Sequence, residues 1–284
     1  MAKSFLVNAS LIVIKGAGGF LFFSTALIAD AFHSLSDLVS DTLVIFGVRQ
    51  TKKPPDREHP IGHGKIEYVL SIFLGFVVLF IAYQIGRQAV AVFGDTPTAP
   101  SIYALVVVVF VIASKLLLSR YLLARADVLH SQVLKASGKE SFVDVLGSVV
   151  VLLGVSFGYL GGRTGVTWLL YADSVAALLV ILFIIRVAIS ILADSVSSII
   201  GKNAPESVIE ETKNHIEQIE GVRGVDKLTM LVYGHYYQVM VDIRVDGSKS
   251  VAEGHEIAHE VRNRLRAEKQ IQHITVHVNP EVES

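Results

Sequence analysis

ADAFHSLSDLVSD, Ala29 to Asp41, is the stretch whose reading decides the fold of this chain. Asp30, His33, Asp37 and Asp41 follow one another at steps of three, four and four, so a helix would carry them on one face. The run around them, Thr25–Val48, is long enough to cross a bilayer as a helix. Ionisable groups at membrane depth are costly, and they mark an ion path or a relay when they occur.

The surrounding chain agrees with a membrane setting. Hydrophobic residues make up 52% of the 284 residues and charged ones only 18%, and the charges are unevenly spread. Long apolar runs dominate from Phe5 to Ile200, and an ordinary charged segment follows from Lys202. A transmembrane domain over residues 1–204 and a small soluble domain over 205–284 are expected. The net charge of −1 predicts no nucleic-acid partner. With no cysteine, disulfides and thiolate metal sites are excluded, so any bound metal must use imidazole and oxygen ligands.

Six spans are predicted, over roughly 5–22, 25–48, 67–92, 102–121, 140–159 and 172–191. The first begins after four residues without a basic leader or a cleavage site and reads as a span rather than a signal peptide. Lys15 interrupts it and is read as a snorkelling or paired structural lysine. Basic residues set the orientation. Arg49, Lys52, Lys53, Arg57 and Lys65 lie between the second and third spans, and Arg120 and Arg125 follow the fourth. Those loops should face the cytoplasm, together with both termini, in a cell inner (plasma) membrane protein.

The soluble tail reads as α-β-β-α-β. A helical stripe runs through Val208, Ile209, Thr212, Ile216 and Ile219, and Gly221 follows as a stop. Strands are predicted at Lys227–Tyr233 and Tyr236–Val245, the second alternating with period two. A helix over Val251–Arg266 and a strand through Ile274, Val276 and Val278 complete a small open sheet of ferredoxin-like layout. The expected fold class is therefore a six-helix membrane domain followed by a small α+β domain.

Two constellations carry chemistry. His33 and Asp37 stand one helical turn apart, and the fifth span repeats the spacing with Glu140 and Asp144 in GKESFVDVLGS. Two such pairs on separate helices give one imidazole and three carboxylates, a set suited to Zn²⁺ and open to Mn²⁺ or Fe²⁺. The competing reading is that these groups pair with lysines or cap helix kinks. In the loop PPDREHPIGHGKIE, Asp56, His59 and His63 supply two imidazoles and a carboxylate, which can hold zinc with one position open.

HSLSD in the second span, HPIGHGKIE after it, the carboxylate pair in the fifth span and the α-β-β-α-β tail together resemble the cation diffusion facilitator family. That resemblance covers the whole chain. It implies a homodimeric metal-ion/proton antiporter, with a transport site on His33, Asp37, Glu140 and Asp144 and a loop site on Asp56, His59 and His63. It places cytoplasmic metal ligands near Asp226, Asp242, His255, His277 and Asn279. Zn²⁺ is the first candidate for cargo and possible regulator, with Mn²⁺, Fe²⁺ and Co²⁺ open, because Glu140 stands where many zinc members have histidine. Asp30, one turn from His33, is expected to orient a ligand or line a water path. Asp173 and Asp194 are expected at the membrane interface.

Metal binding needs a neutral imidazole and ionised carboxylates, so it competes with protons, and alternating access around the site would exchange one for the other. A non-transporting scaffold or metal sensor of the same architecture is the main alternative, and a passive channel the second. No nucleophile–base pair or phosphate-binding glycine loop points to an enzyme.

Overall fold

A computed structural model describes residues 2–51, 55–94, 97–129, 132–267 and 270–281. Six long helices come first: α1 (Ala2–Leu21), α2 (Thr25–Thr51), α3 (Ile66–Ala91), α4 (Ile102–Leu129), α5 (Gln132–Thr164) and, after the one-turn α6 (Thr167–Leu170), α7 (Ala172–Ile200). Among the described residues four segments are long and apolar enough to cross a membrane: Ile66–Gly94, Ile102–Ala126, Ser137–Thr164 and Thr167–Ile200. Phe5–Leu21 is a shorter apolar helix. The 27 residues of α2 span about 40 Å at 1.5 Å per residue. Many outward-facing residues of these helices are apolar, as in Phe73, Phe76 and Phe80 of α3 or Leu182 and Phe183 of α7. Helices α4, α5 and α7 run beyond the predicted spans, because a helix ends where its backbone is capped or broken and not where the hydrocarbon ends.

The chain forms two compact units. One comprises Met1–Thr42 and Leu74–Ser190; the other comprises Leu43–Phe73 and Ile191–Ser284.

In the first unit, polar pairs bury inside the helix packing. Lys15 is fully buried and forms an ion pair with Asp30, Nζ to Oδ2 at 2.9 Å, while donating to Ser34 Oγ at 2.9 Å. The paired reading of this lysine therefore holds. Asp173, in the first turn of α7, is also buried, at 4% exposure. Its carboxylate accepts from Ser24 Oγ at 2.6 Å and from the backbone N–H groups of Thr25 and Ala26 at 2.7 and 3.3 Å. Ser24 Oγ in turn accepts from Leu27 N at 3.1 Å. The orphan donors at the start of α2 are thus satisfied by its own serine and by an acid from α7.

In the second unit, α8 (Glu206–Glu217) precedes β1 (Gly224–Tyr233), β2 (Tyr236–Asp246), α9 (Val251–Arg266) and β3 (Ile271–Glu281). The sheet order is β1-β2-β3, with β1 antiparallel and β3 parallel to the central strand. The predicted period of two is visible in β2, where Val239, Val241, Ile243 and Val245 are buried. They form the core with Ile216, Met230, Val261 and Leu265. Helix α9 opens on a capping box: Ser250 Oγ accepts from Glu253 N at 3.3 Å, and the Glu253 carboxylate accepts from Ser250 N at 2.7 Å. The Ser250 hydroxyl, and next its backbone N–H, hold the Glu253 carboxyl below its ordinary value of 4.5. The box is therefore at full strength above that pH and is lost as acid passes through the lowered value. Ser250→Ala should destabilise α9 by about 1 kcal/mol, read as faster amide exchange in its first turn; exchange equal to the wild type would remove the cap's role.

The second unit also contains the loop before α3, and it is bound to the sheet. Tyr236 Oη donates to the Ile61 carbonyl at 2.8 Å, Tyr233 Oη to the Gly62 carbonyl at 3.4 Å, and Tyr68 Oη accepts from Gly234 N at 2.8 Å. Lys65 Nζ lies 5.3 Å from the centre of the Tyr233 ring. Burial pushes the Tyr236 phenol up to about 12, so it remains a donor at any physiological pH. Gly234, at φ +67°, makes the β1–β2 turn, and a Cβ there would stand 2.7 Å from the Gly64 carbonyl oxygen.

Candidate metal sites

His33 and Asp37 project from α2 and Asp144 from α5, and each offers a ligand atom within 4.8 Å of the others. His33 Nε2 lies 3.7 Å from Asp37 Oδ2. All three side chains are half-buried. The His33 ring is held edge-on against Phe183 of α7, with ring centres 5.3 Å apart. Glu140 is more exposed and lies outside this three-way cluster, yet it lines the same small polar cavity as Asp37 and Asp144. That cavity measures about 50 Å³. On its other side Asp144 joins Asp30 and His33 in lining a larger, mainly apolar cavity of about 490 Å³. Asp144 therefore borders both spaces.

Two features around this cluster were not read from the sequence. Lys115 of α4, 3% exposed, places Nζ 2.6 Å from Asp144 Oδ2. Asn8 of α1 lines the small cavity, and its side-chain oxygen is buried without a hydrogen-bond partner among the described residues. A lysine deep in an apolar run is itself a signal at membrane depth, and Lys115 in VIASKLLLSR carried it. Asp30 takes its bonds from Lys15 and from Ser148 Oγ, at 3.2 Å, and among the described residues it makes none to His33. The Asp41 side chain lies outside the described residues.

The loop residues Asp56, His59 and His63 also converge, with ligand atoms within 4.8 Å of one another. Asp56 Oδ1 accepts from the backbone N–H groups of Glu58 and His59 at 3.0 and 2.7 Å, an Asx-type turn that curls the loop around the carboxylate. The His59 backbone N–H is the main cause that holds the Asp56 carboxyl below its ordinary value of 3.8. The acid therefore stays ionised through the mildly acidic range. His59 Nδ1 and His63 Nε2 each lie 3.3 Å from an Asp56 oxygen. The other nitrogen of His63, Nδ1, is buried and lacks a partner among the described residues. Two imidazoles and an ionised carboxylate in this arrangement fit a divalent cation.

The soluble-domain candidates Asp226, Asp242, His255 and His277 do not gather into such a group among the described residues. Asp226 Oδ1 is taken by Arg244 Nε at 2.6 Å, and its Oδ2 accepts from Asn279 Nδ2 at 3.2 Å. Asp242 and His277 face each other across the β2–β3 register. His255 sits on α9, stacked edge-on against His259 at 4.6 Å, beside a cavity lined by Val276 and Val278. An arginine thus supplies at Asp226 the positive charge that a metal would bring.

Comparison with known proteins agrees with the two-part organisation. Residues 1–200 match the family described as the cation efflux transmembrane domain, and residues 204–281 match the cation efflux protein cytoplasmic domain. The chain is 29% identical over 276 residues to the manganese efflux system protein MneP of Bacillus subtilis, covering 97% of this chain and 93% of the relative. It is 32% identical over 278 residues to an uncharacterized transporter of Methanocaldococcus jannaschii, covering 97% and 95%. The magnetosome protein MamB of a Magnetospira strain is 26% identical over 277 residues, covering 97% and 92%.

Proposed function

Because the chain belongs to the cation efflux family, the cation diffusion facilitators, we propose that it is a homodimer that expels a divalent first-row metal from the cytoplasm in exchange for protons. Metal efflux by a multi-pass membrane transporter is the family's activity; the cargo, the coupling and the assembly are our reading. The observation that carries it is the convergence of His33, Asp37 and Asp144 from two helices. Glu140, on the wall of the same cavity, is the fourth ligand once a cation draws it in.

Mn²⁺ is the cargo we favour, ahead of Zn²⁺, with Fe²⁺ and Co²⁺ as further substrates. One imidazole among carboxylates is a hard, oxygen-rich set that suits Mn²⁺, and a relative along the whole chain is named for manganese efflux. Metal entry requires ionised carboxylates and a neutral imidazole, so protons and metal compete for the same atoms. Protons arriving from the outer side displace the metal, and the protonated site returns without uncompensated charge.

We read residues 1–204 as the transport domain and 205–284 as a cytoplasmic domain, with both termini on that side. The tail matches the cation efflux protein cytoplasmic domain, and we assign the pairing of two protomers to it. The loop site on Asp56, His59 and His63 binds the same metals on the cytoplasmic side, and Asp30 supports the transport site through its buried pair with Lys15.

The test is metal accumulation in proteoliposomes under an imposed pH gradient, with dyes reporting lumenal metal and lumenal pH. Mn²⁺ should enter as protons leave, in fixed proportion. Metal flux indifferent to the gradient would remove the exchange, and Zn²⁺ flux far exceeding Mn²⁺ flux would reverse the order of cargo.

A further inference from the structure

We propose that Lys115 is a tethered substitute for the metal: its ammonium occupies Asp144 while the transport site is empty and moves to Asn8 when metal binds. The inference rests on the reading of His33, Asp37 and Asp144 as that site. Its starting point is the ion pair of 2.6 Å between Lys115 Nζ and Asp144 Oδ2, one of the shortest polar contacts in the helix packing. Lys115 is almost fully buried, so its charge must always have an anionic or polar partner. A metal cation on Asp144 would stand beside that ammonium, and like charges at such separation repel strongly where water is scarce.

Displacement needs a destination, and the same cavity wall contains one. Asn8 lines the small cavity together with Lys115, Asp37 and Asp144. Its Oδ1 is a buried acceptor without a donor among the described residues, an arrangement that costs free energy unless a donor arrives in some state of the cycle. The lysine side chain is flexible and bears three donors, so it can exchange a carboxylate for an amide oxygen while keeping its proton. The metal and the ammonium then alternate on Asp144. Lys115 thereby keeps metal affinity low enough for release, and Asn8 keeps it high enough for capture.

The two residues should act with opposite sign, which a merely structural role would not produce. The measurement is calorimetric titration of Mn²⁺ alone into purified full-length protein in which His59→Ala and His63→Ala remove binding at the loop. Lys115→Met should tighten binding at least about tenfold, since the competing state loses a charge-assisted hydrogen bond. Asn8→Ala should weaken it, and should have no effect when Lys115→Met is already present. Unchanged or weaker binding by Lys115→Met overturns the proposal. So does an Asn8→Ala loss that persists beside Lys115→Met, which would make Asn8 a direct ligand instead. Asp144→Asn separates the two readings: if it binds Mn²⁺ like its parent, the transport site itself is misplaced. Where a lysine variant does not fold, an experimental structure of the unaltered chain with Mn²⁺ decides, and a metal on Asp144 with the lysine pair intact overturns the exchange.

Discussion

His33→Ala is expected to abolish metal-driven proton movement in proteoliposomes while leaving a folded, purifiable protein. The imidazole is the one nitrogen ligand of the proposed site, and its loss leaves carboxylates that still repel one another. Even an outer partner of a metal ligand typically costs about 10–100-fold when removed, so loss of a ligand should exceed that. Asp144→Ala should also eliminate flux, but with a second consequence. It strands Lys115, whose ammonium is 3% exposed and bonded to Asp144, and breaking a buried pair costs about 3–5 kcal/mol. Yield and thermal stability of Asp144→Ala should therefore fall well below those of His33→Ala, and Lys115→Met added to it should restore stability without restoring flux. Flux near the wild-type rate in either single variant would dismiss the site.

Asp173→Ala is expected to be the most damaging change far from any metal ligand. One carboxylate serves a serine hydroxyl and two backbone N–H groups at the first turn of α2, all in a buried setting. Losing the acceptor of three buried bonds there should cost about 3 kcal/mol, the upper end for leaving such donors unsatisfied. Asp173→Asn should rescue part of the loss, because its amide keeps one acceptor oxygen for the Thr25 and Ala26 N–H groups and replaces the other with a donor facing Ser24. The check is the thermal midpoint of the detergent-solubilised protein, and a midpoint equal to the wild type would show that the cap is dispensable. The effect should reach function as well, since α2 carries His33 and Asp37.

What the sequence disclosed divides along a physical line. Features set by local period were legible: the spacing of His33 and Asp37, the alternation through Val239, Val241 and Ile243, and the helix beginning after Ser250. Features that depend on how helices rotate against one another were not. Nothing in the neighbourhood of Lys115 points to Asp144, which is 29 residues away. The bonds of Asp173 were equally hidden, because its partners at Ser24 to Ala26 precede it by nearly 150 residues. In the soluble domain, the family resemblance implied a metal ligand near Asp226. The pairing of β1 with β2 instead brings Gly224 opposite Arg244, and that arginine reaches Asp226. Glu140 marks the boundary between these cases. Its helical spacing from Asp144 was readable, whereas its exposure on the cavity wall depends on tertiary packing.

The tyrosine contacts at the β1–β2 turn change what kind of object the loop is. Connections between elements ordinarily absorb insertions and deletions. Here Ile61 and Gly62 hang from Tyr236 and Tyr233, while Gly234 hangs from Tyr68, so the loop's length is gauged against the hairpin's. One residue added on either side would put both out of step. The spacing from His59 to Tyr68 is therefore as constrained as a strand register, and grafting this loop into another scaffold would have to carry the hairpin with it.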